Sequence, residues 1–360
     1  MYSAGASFAA DLRRDLGDFG LAAHNRATRK AQNKTEEDSV LRQLLALVPS
    51  LALSWCPANA QEWPARAVTI VVPFNAGSTP DSLARIVAER LQARLGQPFV
   101  IENRPGAGGN TGTAAVAKAD PDGHTLGVSI VGPLVINALL FAKMPYDTVK
   151  EIAPITILAA QPSVLVAHPS VAASSVPELV ALLKQDAARF TYASIGRGSL
   201  SHLAMESLAS KAGVKIVHLP FMGSPAAVTA LLRGDVQLAA LPAASVVPQG
   251  REGKLKLLGV TSPQRSPLLP DLPTLREAGI AGVEADAWVG LIAPAGTPPA
   301  VLAKIHKEAV AVLAEPEVVA KLRPQFMAPV ANSPDQFRAV LKEEHDRWAP
   351  IIAAGGIKVE

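Results

Sequence analysis

The sequence holds one cysteine, Cys56, among 360 residues. A lone thiol forms no disulfide within the chain and supplies no cysteine cage for zinc or an iron–sulfur cluster. Aromatic residues are also sparse, at 4%. With lysines and arginines scattered rather than clustered, that excludes base-stacking platforms and the basic stripe of a nucleic-acid binder. Charge of either sign is scarce. Charged residues make up 18% and the net value is +3, too small to select a polyanionic partner. No apolar run is long enough to cross a bilayer, because the candidate, Leu44 to Trp55, has about a dozen residues and a span needs about twenty. What is present is a hydrophobic content of 49%, enough for a sizeable core in a chain with room for two domains.

The first sixty residues differ from the rest. Residues 1–40 are polar and of mixed charge, with little periodicity over Asn25 to Asp38, and are expected to be a non-native N-terminal extension. Arg42, the apolar run and Ala58-Asn59-Ala60 then form a secretory signal peptide over residues 41–60, cleaved after Ala60. That arrangement points to translation starting nearer Leu41. Cys56 lies inside the signal, and Trp55 before it is too large for a lipoprotein site. The exported chain is therefore expected to be periplasmic, cysteine-free and nearly neutral. Of the 34 basic and 31 acidic residues, seven and six fall in the first sixty, leaving 27 and 25.

The mature chain is organised around Val68 to Leu91. Val68 to Val72 is a short β-branched run without alternation, as expected of a strand buried on both faces. Pro73 to Asp81 is a turn rich in Pro, Gly, Ser and Thr. Leu83, Ile86, Val87 and Leu91 recur at helical spacing. A strand–turn–helix corner presents open N–H groups and the positive end of a helix dipole, where anions bind. Asp81 is a candidate cap for that helix and forms an i, i+4 ion pair with Arg85. The device recurs with Phe190 to Ala193 as strand, Ser194 to Ser199 as turn and Leu200 to Ala209 as helix, without a residue-level repeat. Strands at Pro98–Glu102, Thr125–Val131, Ile216–Pro220, Val236–Leu241, Leu257–Val260 and Trp288–Ala293 alternate with helical stretches, so the fold class is α/β. Three helices close the chain, over Ala300–Leu313, Glu317–Leu322 and Pro334–Ala353.

Chemical motifs are weak. Gly106-x-Gly108-x-x-x-Gly112 lacks the spacing and acidic partner of a dinucleotide fingerprint, and no Lys-Ser or Lys-Thr makes it a P-loop. A loop in which backbone passes close to backbone is the better reading. His202 and Glu206 share a helix face without a third metal ligand. Ser199 and His202 are not in a G-x-S-x-G setting. His124, His168, His218, His306 and His345 show no clustering. Neither a catalytic set, a metal site nor a cofactor motif emerges. Hydroxyl-rich and Gly-rich turns remain, of the kind that bind anions without chemistry.

Several blocks together resemble one family. They are Val71–Arg85, Val100–Thr113 (VIENRPGAGGNTGT), Pro121–Leu126, Pro145–Asp147, Gly196–Ser207 (GRGSLSHLAMES), Pro270–Gly279 and Trp288–Pro298 (WVGLIAPAGTP). From Trp63 onward the chain resembles the substrate-binding proteins of tripartite tricarboxylate transporters, the Bug-type periplasmic receptors. The resemblance implies a type II periplasmic-binding-protein fold, with lobe 1 over residues 61–160 plus 287–360 and lobe 2 over 161–286. It also implies a ligand cleft between the lobes, a carboxylate ligand held partly through water, integral membrane transporter subunits as partners, no cofactor, and a monomer. Carried over, the ligand contacts are Phe74, Asn75, Ala76, Gly77, Ser78 and Asp81 on one side. Ser194, Gly196, Gly198, Ser199 and His202 form the other, with Phe221, Met222, Gly223 and Ser224 as wall. Two departures from the family pattern stand out. Gly77-Ser78-Thr79-Pro80 replaces the usual Gly-Gly, and Ala240-Leu241-Pro242 lacks the acid that amino-acid-binding relatives tend to place there. The expected ligand is thus a non-amino carboxylate, a diacid or an aromatic acid. The competing readings are a periplasmic hydrolase or isomerase acting on an acid, and a sensory receptor on the same fold.

Overall fold

The computed structural model describes residues 63–358. The extension and signal peptide expected over residues 1–60 lie outside the described residues. Two sheets organise the described chain. The first contains β1 (Val68–Val72), β2 (Phe99–Asn103), β3 (Thr125–Ile130), β4 (Ile152–Gln161), β10 (Ala287–Pro294) and β11 (Ala328–Pro329), in the order β11-β4-β10-β3-β1-β2. The second contains β5 (Ser163–Ala167), β6 (Thr191–Ser194), β7 (Val217–Pro220), β8 (Leu238–Pro242) and β9 (Lys256–Val260), in the order β7-β6-β8-β5-β9.

The two sheets share one plan. β1 pairs in parallel with both β2 and β3, and β10 runs antiparallel beside β3. β6 likewise pairs in parallel with β7 and β8, and β5 runs antiparallel beside β8. Parallel neighbours require a crossover, and helices supply it. Between β1 and β2 runs α1 (Thr79–Leu95), and between β6 and β7 runs the helix Leu200–Ala212. The inner strands of each sheet are covered by helices and are apolar without alternation, and every residue of β5 is buried, whereas the edge strands β2 and β7 are only partly buried. The chain passes from the first sheet to the second at Gln161–Ser163 and returns to it at Ala287.

In the glycine-rich loop backbone does pass close to backbone. A Cβ on Gly112 would stand 2.6 Å from Pro73 Cα and 2.8 Å from the Arg104 carbonyl oxygen. α2 (Asn110–Ala117) starts there. In sequence order the other main helices are α3 (Val176–Asp186), α4 (Leu200–Ala212), α5 (Ser224–Arg233), α6 (Ala243–Arg251), α7 (Pro299–Leu313), α8 (Pro316–Leu322) and α9 (Pro334–Gly355). α9 opens with a capping box between Ser333 and Gln336 and buries Phe337 and Trp348 completely. It packs on β4 of the first sheet and on α4 of the second lobe. Among the described residues no helix is long and apolar enough to cross a membrane.

Candidate functional site

Both strand–turn–helix corners are built the same way. α1 is capped at Ser78, whose backbone is extended at φ −68° and ψ 160°. α4 is capped at Ser199 with the same angles. Three residues past each cap, a side chain turns back to hold the glycine before it. Asp81 Oδ2 accepts the Gly77 N–H at 2.8 Å, and His202 Nδ1 accepts the Gly198 N–H at 3.0 Å. The corners are therefore related residue by residue, as Gly-Ser-x-x-Asp and Gly-Ser-x-x-His, although their sequences show no repeat. Asp81 is a brace within the first turn of α1 rather than its cap.

Asp81 is almost fully buried. It also accepts from Arg85 Nε at 3.0 Å, and its Oδ1 accepts from Asn103 Nδ2 at 2.8 Å. Burial opposes its charge, but the Arg85 guanidinium, the Gly77 N–H and the Asn103 amide together hold the carboxyl below its usual range. Its oxygens are spent on the loop. Ser78, by contrast, keeps an enclosed hydroxyl without a protein partner. In the first turn of α1 Pro80 carries no N–H, and in α4 the Ser199 hydroxyl accepts the His202 N–H at 3.4 Å. The N–H groups of Thr79, Leu200 and Ser201 have no partner within their helices.

Beneath the second corner lies a stack of rings that sequence spacing did not reveal. His218 was expected to stand alone. β7 pairs with β6 so that His218 sits opposite Tyr192, and the His202 and His218 rings lie 3.9 Å apart and nearly parallel. Tyr192 stacks on His218 at 4.8 Å and donates its hydroxyl proton to Glu206. Burial, then the charges of His218 and Arg197, lower His202 to a pKa of about 3. Burial and Arg197 lower His218 to about 4. Both are neutral near pH 7. Because Nδ1 of His202 accepts a hydrogen bond from the Gly198 N–H, the ring's own proton sits on Nε2, 3.9 Å from Glu206 Oε1. Ser194 is fully buried, with its Oγ 2.7 Å from His218 Nε2. Ser199 Oγ donates to the Gly196 carbonyl at 2.6 Å. Neither serine is an exposed nucleophile facing a free base.

The two corners face a cleft of about 540 Å³. From the first lobe it is lined by Phe74, Ser78, Thr79, Pro80, Gly108 and Asn137. The second lobe adds Ile195 to Ser201, Ser224 and Pro242. Gln161, Ser163 and Ala287 to Val289 form the floor, where the chain passes between the sheets. Ile130, Val131, Ile136, Leu140 and Phe141 extend an apolar wall. Arg197 is the one charged residue of the lining, and among the described residues no carboxylate pairs with it. Asn137 ties the wall to the glycine loop, donating to Gly108 O at 3.1 Å and Asn110 Oδ1 at 2.7 Å.

A family model described as the tripartite tricarboxylate transporter family receptor matches residues 83–357. The chain belongs to this receptor family. It is 34% identical to Protein BugT of Bordetella pertussis over 305 residues, 84% of this chain and 94% of that one. A Rhodopseudomonas palustris protein, Rpa4515, solved with adipate, superposes with a TM-score of 0.72 at 34% identity, covering 82% of this chain and 99% of that one. MatC of the same organism, solved with bound malate, gives 0.68 at 33% identity, over 81% and 100%. The type II two-lobe binding-protein fold and the assignment to solute-binding receptors, rather than enzymes, follow from these relationships.

Of the contacts expected for this receptor, Phe74, Ser78, Gly196, Gly198, Ser199 and Ser224 line the cleft. Asn75, Ala76 and Gly77 are exposed at the first corner. Asp81, Ser194 and His202 are turned into the loops, which they brace. Phe221 and Gly223 lie just outside the lining, and Met222 is 99% exposed. Arg197, Gln161, Asn137 and Trp288 line the cleft without having been singled out. Arg197 was hidden among glycines that read as turn. Gln161 did carry a signal, since with Pro162 it splits the apolar runs Ala153–Ala160 and Val164–Ala167.

Proposed function

We propose that this receptor captures a small non-amino carboxylate in the periplasm, as a monomer, and delivers it to the membrane subunits of a tripartite tricarboxylate transporter. One observation carries the reading. The cleft presents an unpaired arginine, Arg197, and no acidic residue. A carboxylate finds a guanidinium, serine hydroxyls and open helix N–H groups there, whereas an ammonium finds no counter-charge. Two solved relatives hold the diacids adipate and malate, which agrees with a carboxylate in this cleft. Contacts from Ser78, Gly196, Gly198, Ser199 and Ser224 complete the proposed site. Asp81 and His202 set the loop geometry without meeting the ligand.

Calorimetry on the purified protein tests this. Carboxylates are expected to bind, and glutamate and aspartate to bind more weakly than their deaminated analogues. Arg197→Ala is expected to weaken carboxylate binding about tenfold or more, the scale of a charged hydrogen bond. Tighter binding of the amino acids, or undiminished binding by the Arg197 variant, would overturn the reading.

A further inference from the structure

One aromatic side chain crosses from the first lobe into the core of the second. Phe326 stands between α8 and β11, and β11 is paired with β4 of the first sheet. Its ring is 8% exposed. It is buried with Val164 and Val166 of β5 and with Val246 and Val247 of α6, all of the second lobe. Every other buried member of that cluster lies between Val164 and Leu269, so the ring is the first lobe's one contribution to it. Arg251, the last residue of α6, holds its guanidinium carbon 5.5 Å from the ring centroid, a cation–π contact across the lobes. Beside this contact a crevice of about 920 Å³ separates the lobes, with Pro248 and Leu268 on one side and Pro316 and Val319 on the other.

The local backbone does not call for this residue. Phe326 has φ 52° and ψ 28°. The turn that it ends closes with the Phe326 N–H on the Arg323 carbonyl at 3.0 Å and the Met327 N–H on the Leu322 carbonyl at 3.3 Å. A left-handed position after a helix is ordinarily glycine's, and a bulky side chain is disfavoured there. Glycine would relax the backbone and keep both hydrogen bonds, since they are made by the main chain. What phenylalanine adds is apolar surface, and that surface is buried in the other lobe.

We propose that Phe326 is a positioning residue: its ring, seated in the second lobe's core and covered by Arg251, holds the lobes in the relative orientation that brings both corners to the cleft. The lobes are also joined by the two chain passages and by α9 on α4. Short passages act as hinges and permit rotation. An anchorage outside them restricts that rotation, so that less orientational freedom is lost when the corners close on a ligand. The role is the same whichever solute is bound, and its test needs no ligand.

Double electron–electron resonance between nitroxide labels tests the proposal on the full chain in a Cys56→Ser background. The labels go on Ala93→Cys in α1 and Ala181→Cys in α3, exposed positions in the first and second lobes. Phe326→Gly and Phe326→Asn both suit a left-handed backbone. Each is expected to widen the interlobe distance distribution about twofold or more, because the lobes then sample more orientations. Phe326→Leu keeps an apolar side chain for the second lobe and is expected to leave the distribution narrow. Phe99→Ala is the control. Phe99 is 7% exposed but packs within the first lobe alone, so this variant is expected to melt at a lower temperature with its distribution unchanged. Circular dichroism identifies the folded variants, and either the Gly or the Asn variant decides by itself. An unchanged distribution there overturns the proposal. Equal widening in Phe99→Ala overturns it too, since loss of stability alone would then be the cause.

Discussion

His202 braces the glycine turn of the second corner from the first turn of α4. Its Nδ1 holds the Gly198 N–H at 3.0 Å, and that bond exists only while Nδ1 is unprotonated. Burial, His218 and Arg197 lower its pKa to about 3, from an ordinary value of about 6.5. The folded state therefore binds fewer protons at this site than the unfolded state once the pH drops below about 6.5. Its contribution to stability is complete above that value and is lost progressively as the pH falls toward about 3. His202→Asn keeps an acceptor near the position of Nδ1 but does not titrate. Urea unfolding at pH 7 and at pH 4.5 should show the wild type losing about 2 kcal/mol more than this variant. Parallel losses would mean that His202 is not the group that responds. Asp81, at the matching position of the first corner, has its carboxyl held below the usual range, so its own contribution is lost only at lower pH than that at which the His202 response begins.

Among the structural elements, the turns place the site and the strands carry them. Gly112 is a close-approach point: a Cβ there would stand 2.6 Å from the Pro73 backbone, in the segment that leads into the first corner. Gly112→Ala is expected to cost about 2–4 kcal/mol in chemical denaturation, because backbone must move to admit the methyl. Gly132→Ala is the control. Nothing lies closer than 3.9 Å to its added Cβ, so a change below about 1 kcal/mol is expected. Similar losses at the two sites would remove close approach as the reason for Gly112. The elements legible from sequence were those with strong local signals. β1, β3, β5, α1 and α4 announce themselves by unbroken apolar runs or helical spacing. α6 was not legible, since Pro248 and Gly250 interrupt it, and both disfavour a helix taken alone. The helical turns between Gly132 and Leu140 were hidden by Gly132-Pro133. β11 is two residues long and exists only through its pairing with β4. In the site, the serines and glycines of both corners were visible as turn chemistry. The stack of Tyr192, His202 and His218 was not, because strand register alone brings those residues together.

At the scale of the whole molecule, two chain passages beneath the cleft join the sheets, and one helix packs behind them. α9 is that helix: it touches β4 and α4 together. Arg347 on α9 donates to the Glu284 carbonyl at 3.1 Å, and Glu344 pairs with Arg347 at 3.2 Å. Asp286 lies within this cluster on the return passage, with Oδ1 buried and unpartnered. Burial and the nearby Glu344 raise its pKa to about 7, against the opposing pull of Arg347, and Glu284 adds to the rise. The sign is opposite to that of His202. A raised carboxyl keeps its proton in the folded state when the unfolded chain has released it, so its contribution is complete below about pH 3.9 and is lost as the pH rises toward 7. Asp286→Asn mimics the protonated form at every pH. It should match the wild type near pH 4 and be more stable by a few kcal/mol at most at pH 8, in urea unfolding. Equal stabilities at pH 8 would show that the passage carries no buried charge. If the variant also binds ligand more tightly at pH 8 but not at pH 5, the neutral passage favours the closed pair of lobes, and protonation at the hinge is linked to capture in the cleft.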